Sequence, residues 1–150
     1  MNDHRPNVAY EISSYRVLSV DLHFNDEDKD VNKKLMNRFI DTLALLSNLR
    51  RLELLSVTHR SFVTAGLKRE HAKFPSIREM VVSPKYPGFV KCSPNLESLT
   101  FRHGFRTRSK VAIELCGAKL KRVVGVDFST DSHVECEFMK ASPNLKQLLN

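Results

Sequence analysis

Apolar and polar positions recur in one frame along this chain. Ser93-Pro94-Asn95-Leu96-Glu97-Ser98-Leu99-Thr100-Phe101 is echoed by Ser142-Pro143-Asn144-Leu145-Lys146-Gln147-Leu148, by Phe74-Pro75-Ser76-Ile77-Arg78-Glu79-Met80-Val81-Val82 and by Ser47-Asn48-Leu49-Arg50-Arg51-Leu52-Glu53-Leu54. Weaker copies begin at Tyr15 and Leu120. The copies follow an L-x-x-L-x-L frame, with Gly125 and Asn150 at its last position in the final two. Its last two apolar residues alternate, as in a strand with one buried face. The opening positions Tyr15, Leu49, Ile77, Leu96, Leu120 and Leu145 lie 34, 28, 19, 24 and 25 residues apart. One such strand cannot bury its apolar face alone; stacked in parallel with its neighbours, it builds a continuous core. Parallel neighbours need crossovers, so helices or turns are expected between the strands.

The intervening segments carry helix signals. Asp26-Glu27-Asp28 places acidic residues at a helix start, where the helix dipole favours them. Val31, Leu35, Phe39, Leu43 and Leu46 then share one helical face. Ser61 precedes Phe62, Val63 and Leu67, and Ser109 precedes Val111–Cys116 with Gly117 as a C-terminal cap. Ser132 and Glu135 have capping-box spacing ahead of Phe138 and Met139. The segment Pro84–Cys92 is too short for much helix. Pro75, Pro94 and Pro143 each stand two residues before a strand's opening apolar position, where proline favours extended structure.

At SPNLESLTF and FPSIREMVV the chain resembles the leucine-rich repeats of F-box proteins of the fungal type. The mean spacing of about 26 residues also fits the 20–29 residues of such units, with the first gap long. The resemblance implies an α/β leucine-rich-repeat solenoid. It would be a short right-handed horseshoe, with parallel strands on one face and helices or turns on the other. Residues 1–14 form an N-terminal extension, and residues 15–150 a repeat domain of about five and a half units. Members of that family act as substrate receptors of cullin-type ubiquitin ligases and bind the ligase adaptor through an F-box of about three helices. Residues 1–14 are too short for one. The implied partners are a protein target and ubiquitin-ligase components.

The residue after each opening position is Arg16, Arg50, Arg78, Glu97, Lys121 or Lys146, basic in five of six units. Stacked at about 4.8 Å, these residues would form a basic ladder for an acidic segment or for phosphate. The same pattern follows if the position simply requires a polar residue. Arg51, Glu53, Val81, Thr100, Arg102 and Val124 complete the candidate partner-binding set on the strand face. Leu55, Val81, Val124 and Val126 would give that face an apolar patch, unless loops cover them. Arg102–Lys110, RHGFRTRSK, is the densest basic stretch, expected in a loop leaving the fourth strand. It is either a nucleic-acid contact or import signal, or a solvated turn.

Charge and composition change this picture little. The chain has 150 residues and a formal charge of +7, which favours acidic partners or anionic surfaces only weakly. No apolar run approaches the roughly 18 residues of a membrane span, and Met1–Arg16 lacks a signal peptide's apolar stretch. An intracellular location, cytoplasmic or nuclear, is expected. Three cysteines do not make a disulfide framework. Cys92 and Cys116 stand four residues before an opening leucine, a slot shared with Leu45 and Ala141 and read as core. His133, Glu135, Cys136 and Glu137 match no zinc spacing. No nucleophile–base arrangement and no Gly-rich phosphate loop is present in the sequence. No cofactor, metal or catalytic residue is expected.

The phrase Leu145–Asn150 ends inside a strand with no covering helix, an edge that solenoids normally cap. The expectation is a piece of a longer array, or association through that end. The sequence thus points to a protein-interaction scaffold, with a nucleic-acid-binding module or a non-functional repeat fragment as alternatives.

Overall fold

The computed structural model describes residues 16–22, 28–57, 60–69, 72–106, 115, 117, 119–128 and 132–149. Tyr15, Asp26, Glu27, Ser109, Cys116 and the stretch Thr107–Lys110 lie outside them. The elements are β1 (Val17–Leu22), α1 (Lys29–Leu45), β2 (Arg51–Val57), α2 (Arg60–Leu67), β3 (Glu79–Val82), α3 (Gly88–Lys91), β4 (Ser98–Arg106), β5 (Arg122–Asp127), α4 (Ser132–Ala141) and β6 (Gln147–Leu149). The six strands form one parallel sheet in chain order, β1 through β6.

The register follows the repeat frame. Leu18, Leu52, Met80, Leu99, Val123 and Leu148 are successive Cα partners. The middle four of these are buried. The opening residues Leu49, Ile77, Leu96 and Leu120 are buried beside them, and Leu145 packs against the same core. Alternation in the strand sends this set inward and the intervening residues outward.

A second repeated device sits ahead of each strand. The amides of Leu49, Ile77, Leu96, Leu120 and Leu145 donate to the carbonyls of Leu46, Phe74, Ser93, Gly117 and Ser142 at 3.1–3.4 Å, closing five equivalent turns. Each turn then hands the chain to the sheet. The Arg16 carbonyl accepts from the amides of Arg50 and Arg51, and those of Arg50, Arg78, Glu97 and Lys121 accept in the same way from the next unit.

The turn also moves the buried slot. Leu45 is 81% exposed and Ala141 is exposed, while Cys92 is half-buried. The expected core slot four residues before the opening leucine is therefore displaced by one. Leu46, Phe74, Ser93 and Ser142, which begin the turns, are the buried ones. The buried residue is the one whose carbonyl closes the turn.

The crossovers back the core. Asp28 caps α1, its carboxylate accepting from the amides of Asp30 and Val31 at 3.1 Å. The buried face of α1 is Asn32, Met36, Ile40 and Leu43. Val31 and Leu35, expected on the core face, are 48% and 50% exposed. The helix carries two neighbouring apolar stripes, and tertiary docking chooses between them. Gly66 of α2 approaches so closely that a Cβ there would lie 2.5 Å from Ile40 Cδ1. Arg69 then ties the pair, donating to the Asn37 carbonyl and the Asp41 carboxylate at 3.2 and 3.0 Å. Phe89 of α3 stacks on Phe74 with centroids 6.1 Å apart, and Phe138 of α4 meets Phe128 at 5.2 Å. Among the described residues no helix is long and apolar enough to cross a membrane.

The one large break in register lies between β4 and β5. Thr100 pairs with Val124, but the next pair is Phe105 with Val126. Four residues of β4 thus oppose Gly125 alone. His103 and Gly104 adopt φ values of 71° and 52°, and Gly125 one of 84°. This bulge carries Arg102–Arg106 as strand rather than as the expected loop. It also turns Val126 inward. Val126 is fully buried and does not join the exposed apolar set.

Candidate binding face

The sheet's outward side carries two rows of side chains from the L-x-x-L-x-L frame. Val17, Arg51, Glu79, Ser98, Arg122 and Gln147 stand in register in one; Ser19, Glu53, Val81, Thr100, Val124 and Leu149 stand in the other. At their centre is an open hollow of about 360 Å³, walled by residues of β2, β3, β4 and β5.

One wall is an ionic network. Arg51 Nε donates to Glu53 Oε1 at 2.8 Å, and Arg51 Nη1 to Glu79 Oε2 at 3.1 Å. Ser19 Oγ donates to Glu53 Oε2 at 3.0 Å. The hydrogen bond from Arg51, and after it that from Ser19, holds the Glu53 carboxyl below the usual carboxylate range. The bond to Glu53 in turn raises Arg51. The opposite wall holds Arg102, on the β4 bulge, and Arg122, in register with Ser98. Both arginines are exposed.

Arg50, Arg78 and Lys121 do align as a ladder at the strand starts, but their side chains are engaged within the chain. Arg50 Nη1 donates to the carbonyls of Ser47 and Ser76, each at 3.1 Å. Arg78 Nη1 donates to the Asn95 carbonyl at 3.2 Å. Lys121 Nζ donates to Glu97 at 2.8 Å, which lowers the pKa of that carboxyl. The ladder braces each turn to the next: Ser76 Oγ donates to the Leu46 carbonyl at 2.8 Å, Asn95 Nδ2 to that of Pro75 at 2.9 Å, and Lys119 Nζ to Asn95 Oδ1. Arg16 and Lys146, at its two ends, are exposed.

Of the candidate residues, Arg51, Glu53, Val81, Thr100 and Arg102 meet at the hollow. Val124 is half-buried in the adjoining row. Leu55 is exposed and has no partner in the β1–β2 register, which passes from Leu54 to Ser56. Glu79, Ser98 and Arg122 were missed as site residues. Their signal was the second x of L-x-x-L, the column that already supplied Arg51.

Among the described residues no group of three His, Cys, Asp or Glu side chains is placed to hold a metal ion. Cys92 Sγ donates to the Leu67 carbonyl at 3.5 Å, and burial pushes its thiol pKa up, away from the reactive thiolate. Comparison of the sequence with protein-family models and with curated proteins finds no match.

Proposed function

We propose that this chain is a non-catalytic leucine-rich-repeat scaffold that recognises a protein through its outward strand face, as the substrate-recognition part of a ubiquitin-ligase receptor. One observation carries the reading. The hollow on that face gathers charged groups around Val81, with Val124 in the same row and Leu55 exposed further along β2. An apolar centre within a polar rim is the usual composition of a protein-binding surface. The ligase link rests on the resemblance of the repeat phrases. The nucleic-acid alternative is less well supported. Arg50, Arg78 and Lys121 are committed to internal bonds, and Glu53 and Glu79 put negative charge on the face a phosphate backbone would meet.

Affinity purification from the native cell with three baits tests this. The wild-type chain is expected to recover a protein that a Val81→Asp/Thr100→Asp chain does not. A Lys33→Glu/Lys34→Glu chain, altered on α1, retains it. Recovery of a ligase adaptor supports the receptor role. Equal recovery by the strand-face variant overturns the reading.

A further inference from the structure

We infer that the hollow takes an extended acidic segment of a protein partner, with Arg102 and Arg122 as its carboxylate anchors. This rests on the strand face being the recognition surface, and it names what that surface selects.

The two walls of the hollow are not equivalent. Arg51 lies between Glu53 and Glu79, at 2.7 and 3.1 Å, so its charge is already matched. Arg102 and Arg122 have no hydrogen bond or salt bridge with an acidic side chain among the described residues; Glu53 feels Arg102 only as a charge nearby. Ser98, in register with Arg122, and Thr100 line the same side of the hollow. A guanidinium presents a planar fork that fits a carboxylate through two parallel hydrogen bonds. Two such forks on one side of a hollow, facing a wall in which Arg51 is outnumbered by Glu53 and Glu79, complement a segment with carboxylates along one edge. The paired wall limits the total charge the site accepts, because Glu53 and Glu79 repel a densely anionic polymer. This favours an acidic peptide over a nucleic acid.

The backbone supplies independent support. Arg102 lies within the bulge in which four residues of β4 oppose one of β5. That bulge holds His103 at φ 71°, a conformation non-glycine residues rarely adopt. Bulges recur where a strand must re-aim a side chain beside a site. Strain retained next to arginines with no acidic hydrogen-bond partner among the described residues fits that use.

The test uses the full chain and a fluorescent (Gly-Glu)5 peptide, with (Gly-Lys)5, a single-stranded oligonucleotide and inorganic phosphate as comparison probes. Binding is read by anisotropy. Saturable binding of the acidic peptide is expected, weakened at least tenfold by Arg102→Gln/Arg122→Gln and unchanged by Lys33→Gln/Lys34→Gln. Circular dichroism confirms that each variant folds. An unchanged affinity in the double arginine variant overturns the inference. So does an equal loss in the lysine variant, or an oligonucleotide that binds more tightly through the same arginines. Competition by millimolar phosphate as effective as the peptide would mark a simple anion site and also overturn it. If a partner recovered by the wild-type chain binds the strand face while the peptide does not bind, only this inference fails. If the partner binds elsewhere, the proposed function fails.

Discussion

Gly125 lies under the Phe101 carbonyl so closely that a Cβ there would stand 2.6 Å from the oxygen, with Gly125 at φ 84°. In the other central units the same frame position holds a large side chain: Leu54, Val82 or Phe101. In β5 it is empty of side chain, and Phe101 covers it. Gly125→Ala combines left-handed backbone with a backbone clash, and is expected to cost about 2–5 kcal/mol in urea unfolding. Gly104→Ala is expected to cost about 1–2 kcal/mol, because its Cβ would meet only an ordinary 3.7 Å contact. Equal costs would contradict this account of the bulge.

The rotation of α1 is open to a direct comparison. Met36→Ala removes a fully buried side chain and should destabilise by about 2–5 kcal/mol. Leu35→Ala, one position away on the half-exposed stripe, should stay within about 0.5 kcal/mol. Thermal or urea melts of the two variants decide which stripe faces the sheet.

Glu53 provides a pH-dependent signature. Its folded carboxyl is depressed by hydrogen bonds from Arg51 and Ser19. The stability it contributes is therefore present above the ordinary carboxylate range and lost as pH falls through the lowered folded value. Carboxyl carbon NMR titration should find Glu53 with a midpoint below a free glutamate. Arg51→Gln should move that midpoint back up. A titration indifferent to Arg51 would remove the ionic wall from the hollow.

The braced turns predict a cost away from the core. Ser93 is buried and donates to the Phe89 carbonyl at 2.9 Å. Ser93→Ala leaves that carbonyl short of a donor and should cost about 1 kcal/mol by urea unfolding. A neutral result would mean the bond adds nothing to the turn.

The parallel strands and their order were legible, because a period-two frame at L-x-x-L-x-L leaves one burial pattern for Leu52, Met80, Leu99 and Val123. The start of α1 was legible from the acidic run that ends at Asp28, whereas Ser61 and Ser132, read as caps, lie within α2 and α4. Three things were not. The buried face of α1 packs where Gly66 approaches Ile40, a contact between elements that the helix's own pattern does not encode. The inward turn at Leu46 and Ser93 depends on a backbone bond that any residue type can make. Val126 is buried by a bulge whose local marks, His103-Gly104 and Gly125, read as turn residues. The site was half visible: Arg51 and Arg102 were in view, whereas Glu79, Ser98 and Arg122 were overlooked because the neighbouring basic column stood out more. That column braces the turns.

Hydroxyl-radical footprinting of the chain, with and without the protein it recovers from cells, tests recognition by the strand face most directly. Leu55 and Leu149 mark the strand face, and Val31, Leu35 and Met139 mark the helices; all are exposed in the chain alone. Protection of Leu55 and Leu149, with the helix markers unchanged, is the predicted result. Protection of Val31, Leu35 and Met139 with the strand face still open would contradict it.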